Sequence, residues 1–72
     1  MKVNINSVDR IKDFVKVAES IPEDVDLVSG RYVVDAKSIM GVFSLDISKP
    51  VELVIHAENA AEFESRFDAF RV

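Results

Sequence analysis

Few side chains in this chain could carry chemistry. His56 is the sole histidine and there is no cysteine, which excludes disulfides, thiolate catalysis and thiolate metal sites. One imidazole without a placed carboxylate, serine or cysteine partner makes neither a triad nor a metal site. Strand alternation sets His56 at the end of a strand, on the face opposite Val51, Leu53 and Ile55, so a partly exposed surface residue is expected. The thirteen acidic residues contain no D-x-D-x-D-G loop and read as a solvated surface, so neither a metal nor another cofactor is expected.

Serine is the remaining reactive type, and two serines stand where a helix should begin. Ser7 precedes a helical pattern and can cap it by accepting a bond from an orphan backbone N–H, with Asp9 suited to the positive end of the dipole. Ser38 opens a shorter segment, Ser38 to Leu45, which suits a two-turn helix. A phosphate on Ser38 would lie at a helix N-terminus, where backbone donors and dipole favour it. Capping alone also accounts for a serine there.

Ile39, Met40 and Phe43 follow directly. On a short helix they could plug the sheet, but Ile39 and Met40 are adjacent and cannot both point inward, whereas Val42 and Leu45 could supply the buried side. An exposed apolar cluster usually marks a contact surface, methionine repacks readily against different partners, and Gly41 allows close approach. A docking patch is favoured over a pure core role.

These residues must be positioned by short, alternating elements. Lys2 to Asn6 alternates as a half-buried strand, with Val3 and Ile5 on one face. Val8, Ile11, Val15 and Ala18 recur at helical spacing, widened by Phe14 and Val17, with Asp9, Lys12, Asp13, Lys16 and Glu19 on the wet side. Pro22 ends that helix. Val25 and Leu27 alternate with Asp24 and Asp26, and Tyr32 and Val34 with Arg31, Val33 and Asp35; Ser29-Gly30 between them is a two-residue hairpin signal. Pro50 opens a strand carrying Val51, Leu53 and Ile55. A last helix starts near Asn59, with Glu62 in capping-box spacing, Ala60, Phe63, Phe67 and Phe70 as its buried stripe, and Glu62 with Arg66 as an exposed pair.

The order is β-α-β-β-α-β-α, an α+β domain spanning residues 1–72. One four-stranded antiparallel sheet with three helices on one face is the economical arrangement, because each strand has a single clean apolar face. Phe14, Val15, Val34, Leu53, Ile55, Phe63 and Phe67 are expected to be buried. With 49% of 72 residues apolar, one modest core can form without staples. The net charge of −4 disfavours nucleic acid and anionic membrane surfaces as partners. There is no apolar leader and no run of transmembrane length, and a cytoplasmic location is expected.

Lys37 to Leu45 closely resembles a signature of the HPr family, the small phosphocarriers of the bacterial sugar phosphotransferase system. The resemblance runs without gaps from about Ser7 to Asn59 and continues as a shorter last helix; only Lys37 to Leu45 is specific. It implies the family's open-faced β-sandwich. It also implies a regulatory phosphorylation site at Ser38, the target of an HPr-type serine kinase, and a partner-docking patch at Ile39, Met40 and Phe43. In the family that patch docks enzyme I, permease domains and a transcriptional regulator. Counting back from Ser38, the family's phosphorylatable histidine falls on Ser7 and its arginine on Asp9. Arg10 lies one residue off, turned roughly a quarter of the way round a 3.6-residue helix. A serine phosphate is a stable ester, and Asp9 would repel a phosphoryl donor.

The chain is thus similar to a Crh-like branch that also lacks the histidine. It reads as a non-catalytic regulatory or adaptor protein, not an enzyme, whose partners are proteins. Regulator binding in the family leans on the first-helix arginine as well, and Asp9 stands in that position here. Two other readings stay open: a phosphocarrier using an unrecognised acceptor, and a self-associating module that pairs through the patch or a sheet edge.

Overall fold

A computed structural model describes residues 1–72. It contains strand β1 (Lys2–Val3), helix α1 (Val8–Glu19), strands β2 (Val25–Ser29) and β3 (Tyr32–Asp35), helix α2 (Ile39–Phe43), strand β4 (Val51–Ile55) and helix α3 (Ala60–Glu64), which continues as a 3₁₀ helix over Ser65–Phe70. The strands form one antiparallel sheet in the order β1-β4-β2-β3. Period-two alternation sorts its faces. Val3, Val25, Leu27, Val51, Leu53 and Ile55 are buried on the side the helices cover. Lys2, Asp26, Val33, Asp35 and Glu52 point to the open side, as the strand registers require. The expected open-faced sandwich is the observed one.

Phe14 from α1 meets Phe67 and Phe70 from the C-terminal segment, with ring centroids 5.1 Å and 5.4 Å away. Every buried residue is apolar, so the core holds no polar group in need of a partner. The last helix departs from a regular α pattern after one turn. Three residues per turn in the 3₁₀ segment place Phe67 and Phe70 on one side, and both are buried. Phe63 and Ala60, on the preceding α turn, are only half-buried. Val34 is also half-buried, because β3 is an edge strand with one flank open. Val8 is exposed, so the apolar stripe of α1 begins at Ile11.

Other local expectations shift by small, explicable amounts. Ser29 pairs with Tyr32, so the hairpin loop is Gly30-Arg31 and not Ser29-Gly30. Gly30 has φ +59° at the first central position, as a type II′ turn requires. The Asn59 backbone (φ −99°, ψ 38°) is not extended, so its side chain caps no backbone N–H and instead donates to the Glu62 carboxylate at 3.2 Å. Arg66 does not pair with Glu62. It donates to the carbonyl and hydroxyl oxygens of Ser20, each at 3.2 Å, at the C-terminal end of α1 where a cation suits the dipole.

The outer edge of β1 is covered. Val3 bridges Arg71, the Val72 N–H donates to the Lys2 carbonyl and the Asn4 N–H to the Phe70 carbonyl. The edge of β3 has no such cover.

Candidate functional site

Ser38 has extended backbone (φ −100°, ψ 112°), and its Oγ accepts the Gly41 N–H at 3.1 Å, so it caps α2 as its position suggested. The approach to the cap is fixed from both sides. The Ser38 N–H donates to the Asp35 carbonyl at 3.0 Å, and Asp35 Oδ1 accepts the Lys37 N–H at 2.9 Å. Lys37 Nζ reaches the Ile21 carbonyl beyond α1 at 2.7 Å. A Cβ on Gly41 would lie 3.3 Å from Ser38 Oγ and 3.4 Å from the Val34 Cβ, so this glycine lets α2 sit tightly on both cap and strand. Beyond the helix, hydrogen bonds from the Ser48 hydroxyl and backbone N–H hold the Asp46 carboxyl below the usual carboxylate range.

The apolar residues of α2 and of the turn that follows it are divided between core and surface. Val42 is wholly buried and Leu45 nearly so, while Ile39, Met40 and Phe43 are 37%, 76% and 40% exposed. These three form an apolar surface immediately after Ser38 in the chain. Beside Ile39 runs a groove between α1 and α2 walled by Lys12, Lys16, Lys37 and Glu19. Three lysines against one glutamate make it locally basic on a net acidic chain. In the sequence Lys12, Lys16 and Glu19 show as the wet side of α1, but nothing in their spacing reveals their meeting with Lys37.

At the start of α1, Ser7 is a plain N-cap, extended (φ −146°, ψ 159°) and accepting the Arg10 N–H at 3.2 Å. Asp9 occupies the first turn. The Arg10 guanidinium is engaged elsewhere. Its Nε and Nη2 donate to the Asn4 carbonyl at 3.0 and 2.7 Å, Nη2 also reaches the Ala69 carbonyl at 3.2 Å, and the group lies 5.1 Å from the centre of the Phe70 ring. Arg10 thus clamps the segment after β1 to the C-terminal helix. Arg10→Ala is expected to cost about 2 kcal/mol, because the partly buried Asn4 carbonyl loses a charged donor and Phe70 loses its cover. Arg10→Lys should recover less than half of that, since an ammonium loses the two-nitrogen grip of Nε and Nη2 on the Asn4 carbonyl and the planar group that lies over Phe70. Urea denaturation checks both; an unchanged midpoint in Arg10→Ala would rule out the clamp.

His56 has a carboxylate partner that the linear sequence hid. Its Nε2 lies 2.8 Å from Asp26 Oδ2, and both side chains are partly exposed. Asp26 pairs with Val54, so only the β2–β4 register brings His56, two residues further, within its reach. No third group joins them, and no cluster of three His, Asp or Glu side chains is arranged to hold a metal ion. His56 follows the C-terminal end of β4, whereas the antiparallel β1 delivers the chain toward Ser7 from the Val51 end. Imidazole and Ser7 do not come together. No helix is long and apolar enough to cross a membrane.

Residues 10–69 match the family model described as the PTS HPr component phosphorylation site; the match starts past Ser7 and Asp9. Crh, the catabolite repression containing protein of Bacillus subtilis, is similar at 30% identity and TM-score 0.72, over 96% of this chain and 80% of that one; its structure is an intertwined, swapped dimer. The HPr-C-His protein of Thermoanaerobacter tengcongensis shares the fold at 23% identity and TM-score 0.79, over 93% of this chain and 83% of that one. No curated protein matches.

Proposed function

This chain belongs to the HPr family of the sugar phosphotransferase system, and on that premise we propose that it is a non-catalytic regulatory or adaptor member. The observation that carries this reading is the division of α2 and the turn after it: Ser38 caps the helix, Val42 and Leu45 are buried, and Ile39, Met40 and Phe43 are exposed. Ser7 and Asp9 stand where the family's histidine and arginine are expected; a serine phosphate ester does not pass on its group at a useful rate, and the Asp9 carboxylate repels a phosphoryl donor. Partners in this reading are proteins of the cytoplasm: an HPr-type serine kinase, phosphotransferase components or a transcriptional regulator.

Phosphorylation of Ser38 adds close to two negative charges beside the patch. The free N–H groups of the helix start absorb part of that charge, so the fold persists and binding changes. A partner that buries the patch dry is repelled, whereas one offering arginines beside an apolar pocket is favoured. Incubation with an HPr-type serine kinase and ATP is expected to add one phosphate, mapped to Ser38 by mass spectrometry and absent from Ser38→Ala. Losing the cap itself should cost Ser38→Ala only about 1 kcal/mol, so that control remains folded. Phosphate on another residue, or none with a kinase active on HPr, would remove Ser38 from the proposal. Met40→Ala should weaken binding to any partner of the unmodified patch without changing the melting temperature, since 76% of Met40 is in solvent.

A further inference from the structure

β3 is the one sheet edge left open, and its sequence is complementary to itself. The Ala36 N–H donates to the Val25 carbonyl at 2.9 Å, which fixes the hydrogen-bonding phase of the β2–β3 pair. Tyr32, Val34 and Ala36 therefore turn their backbone groups toward β2, and Val33 and Asp35 turn theirs outward. The exposed edge carries large apolar side chains, with Tyr32 73% and Val33 61% exposed. Arg31 precedes them and forms no ion pair.

We propose that two copies of this chain associate through β3, pairing antiparallel about Val33 to join their sheets. In that register Val33 meets Val33 in a hydrogen-bonded pair, Tyr32 faces Val34 of the second copy, and Arg31 lies against Asp35 at both ends. Charge selects this arrangement over its neighbours. A parallel pairing sets Arg31 against Arg31 and Asp35 against Asp35. A slip of two residues one way brings Arg31 to Lys37, and the other way leaves Asp35 against Ser29. A second observation points the same way. Within one copy Asp35 sits directly opposite Asp26 on the open face, a like-charge pairing that disfavours the sheet. His56 attends Asp26, whereas Asp35 Oδ1 has only the Lys37 N–H. Arg31 of a second copy supplies the missing cation.

The test is complementation between charge reversals, read by sedimentation from micromolar to millimolar protein. The unmodified chain is expected to shift from monomer to dimer across that range. Arg31→Asp and Asp35→Arg each turn two attractive pairs into two repulsive ones, and each should raise the dissociation constant roughly tenfold or more. Mixed in equal amounts, the two variants regain opposite charges at both ends and should form a heterodimer. Val33→Pro removes an outward N–H without breaking an internal ladder bond, so it should remain folded, by circular dichroism, and monomeric. A chain that stays monomeric at millimolar concentration overturns the proposal. So does a dimer that survives both reversals and Val33→Pro, as an exchange of β1 between copies would.

Discussion

Phe67→Ala is expected to lower the free energy of unfolding by about 3 to 5 kcal/mol, by removing a buried ring and leaving a cavity that short helices cannot close. A domain of this size has a total stability on the order of 5 kcal/mol, so the variant should be partly unfolded at room temperature. Phe67 is wholly buried and joins α1 to the C-terminal segment through Phe14, with centroids 5.1 Å apart, and through Phe70 at 6.5 Å. The 3₁₀ segment that carries it is too short to be stable alone, so it depends on these contacts for its existence. Phe43→Ala is the matched control. It deletes the same group from a 40% exposed position on α2, and should cost less than half as much. Urea denaturation of both variants gives the comparison directly. Equal losses, or an unchanged midpoint for Phe67→Ala, would mean that the aromatic cluster does not hold the last helix.

That contrast between two phenylalanines shows which parts of the molecule were legible in the sequence. The division of α2 could be read locally, because adjacent Ile39 and Met40 cannot share a face and Val42 and Leu45 lay at the right spacing. Ser7 and Ser38 were legible as caps for the same reason, since capping spans only three residues. The sequence pattern sets the hairpin loop one residue early, because glycine suits either central position of a two-residue loop, and only the pairing of Ser29 with Tyr32 decides. Contacts that depend on register or on the packing of distant elements were invisible. Asp26 meets His56 across thirty residues, and Arg66 finds Ser20 across forty-six. Arg10 stands one position off the arginine that the resemblance implies, yet its place is set by carbonyls at Asn4 and Ala69 that no helical wheel contains.

The engagement of Arg10 decides the expected outcome at the start of α1. Phosphoenolpyruvate and enzyme I, with labelled phosphate, should leave the unmodified chain unlabelled. Ser7 offers a hydroxyl, whose phosphate ester does not pass on its group at a useful rate, and Asp9 repels the donor. Nor can Arg10 neutralise the transferring group, because its guanidinium already bonds the Asn4 and Ala69 carbonyls and lies over the Phe70 ring. Ser7→His restores a nitrogen nucleophile at a helix N-terminus, where free backbone N–H groups steady a bound phosphoryl group. It leaves Asp9 in place, so labelling should remain slow. Adding Asp9→Arg replaces a repelling charge with one that stabilises the transition state, and should raise the rate by roughly a hundredfold over Ser7→His alone. Loss of the serine cap costs both variants the same, about 1 kcal/mol, and so cancels in the comparison. Equal rates in the two variants would show that Asp9 does not oppose transfer. Acid-labile phosphate on the unmodified chain would overturn the non-catalytic reading, and if mapped to His56 it would place the carrier function at the Asp26–His56 pair on the opposite end of the sheet.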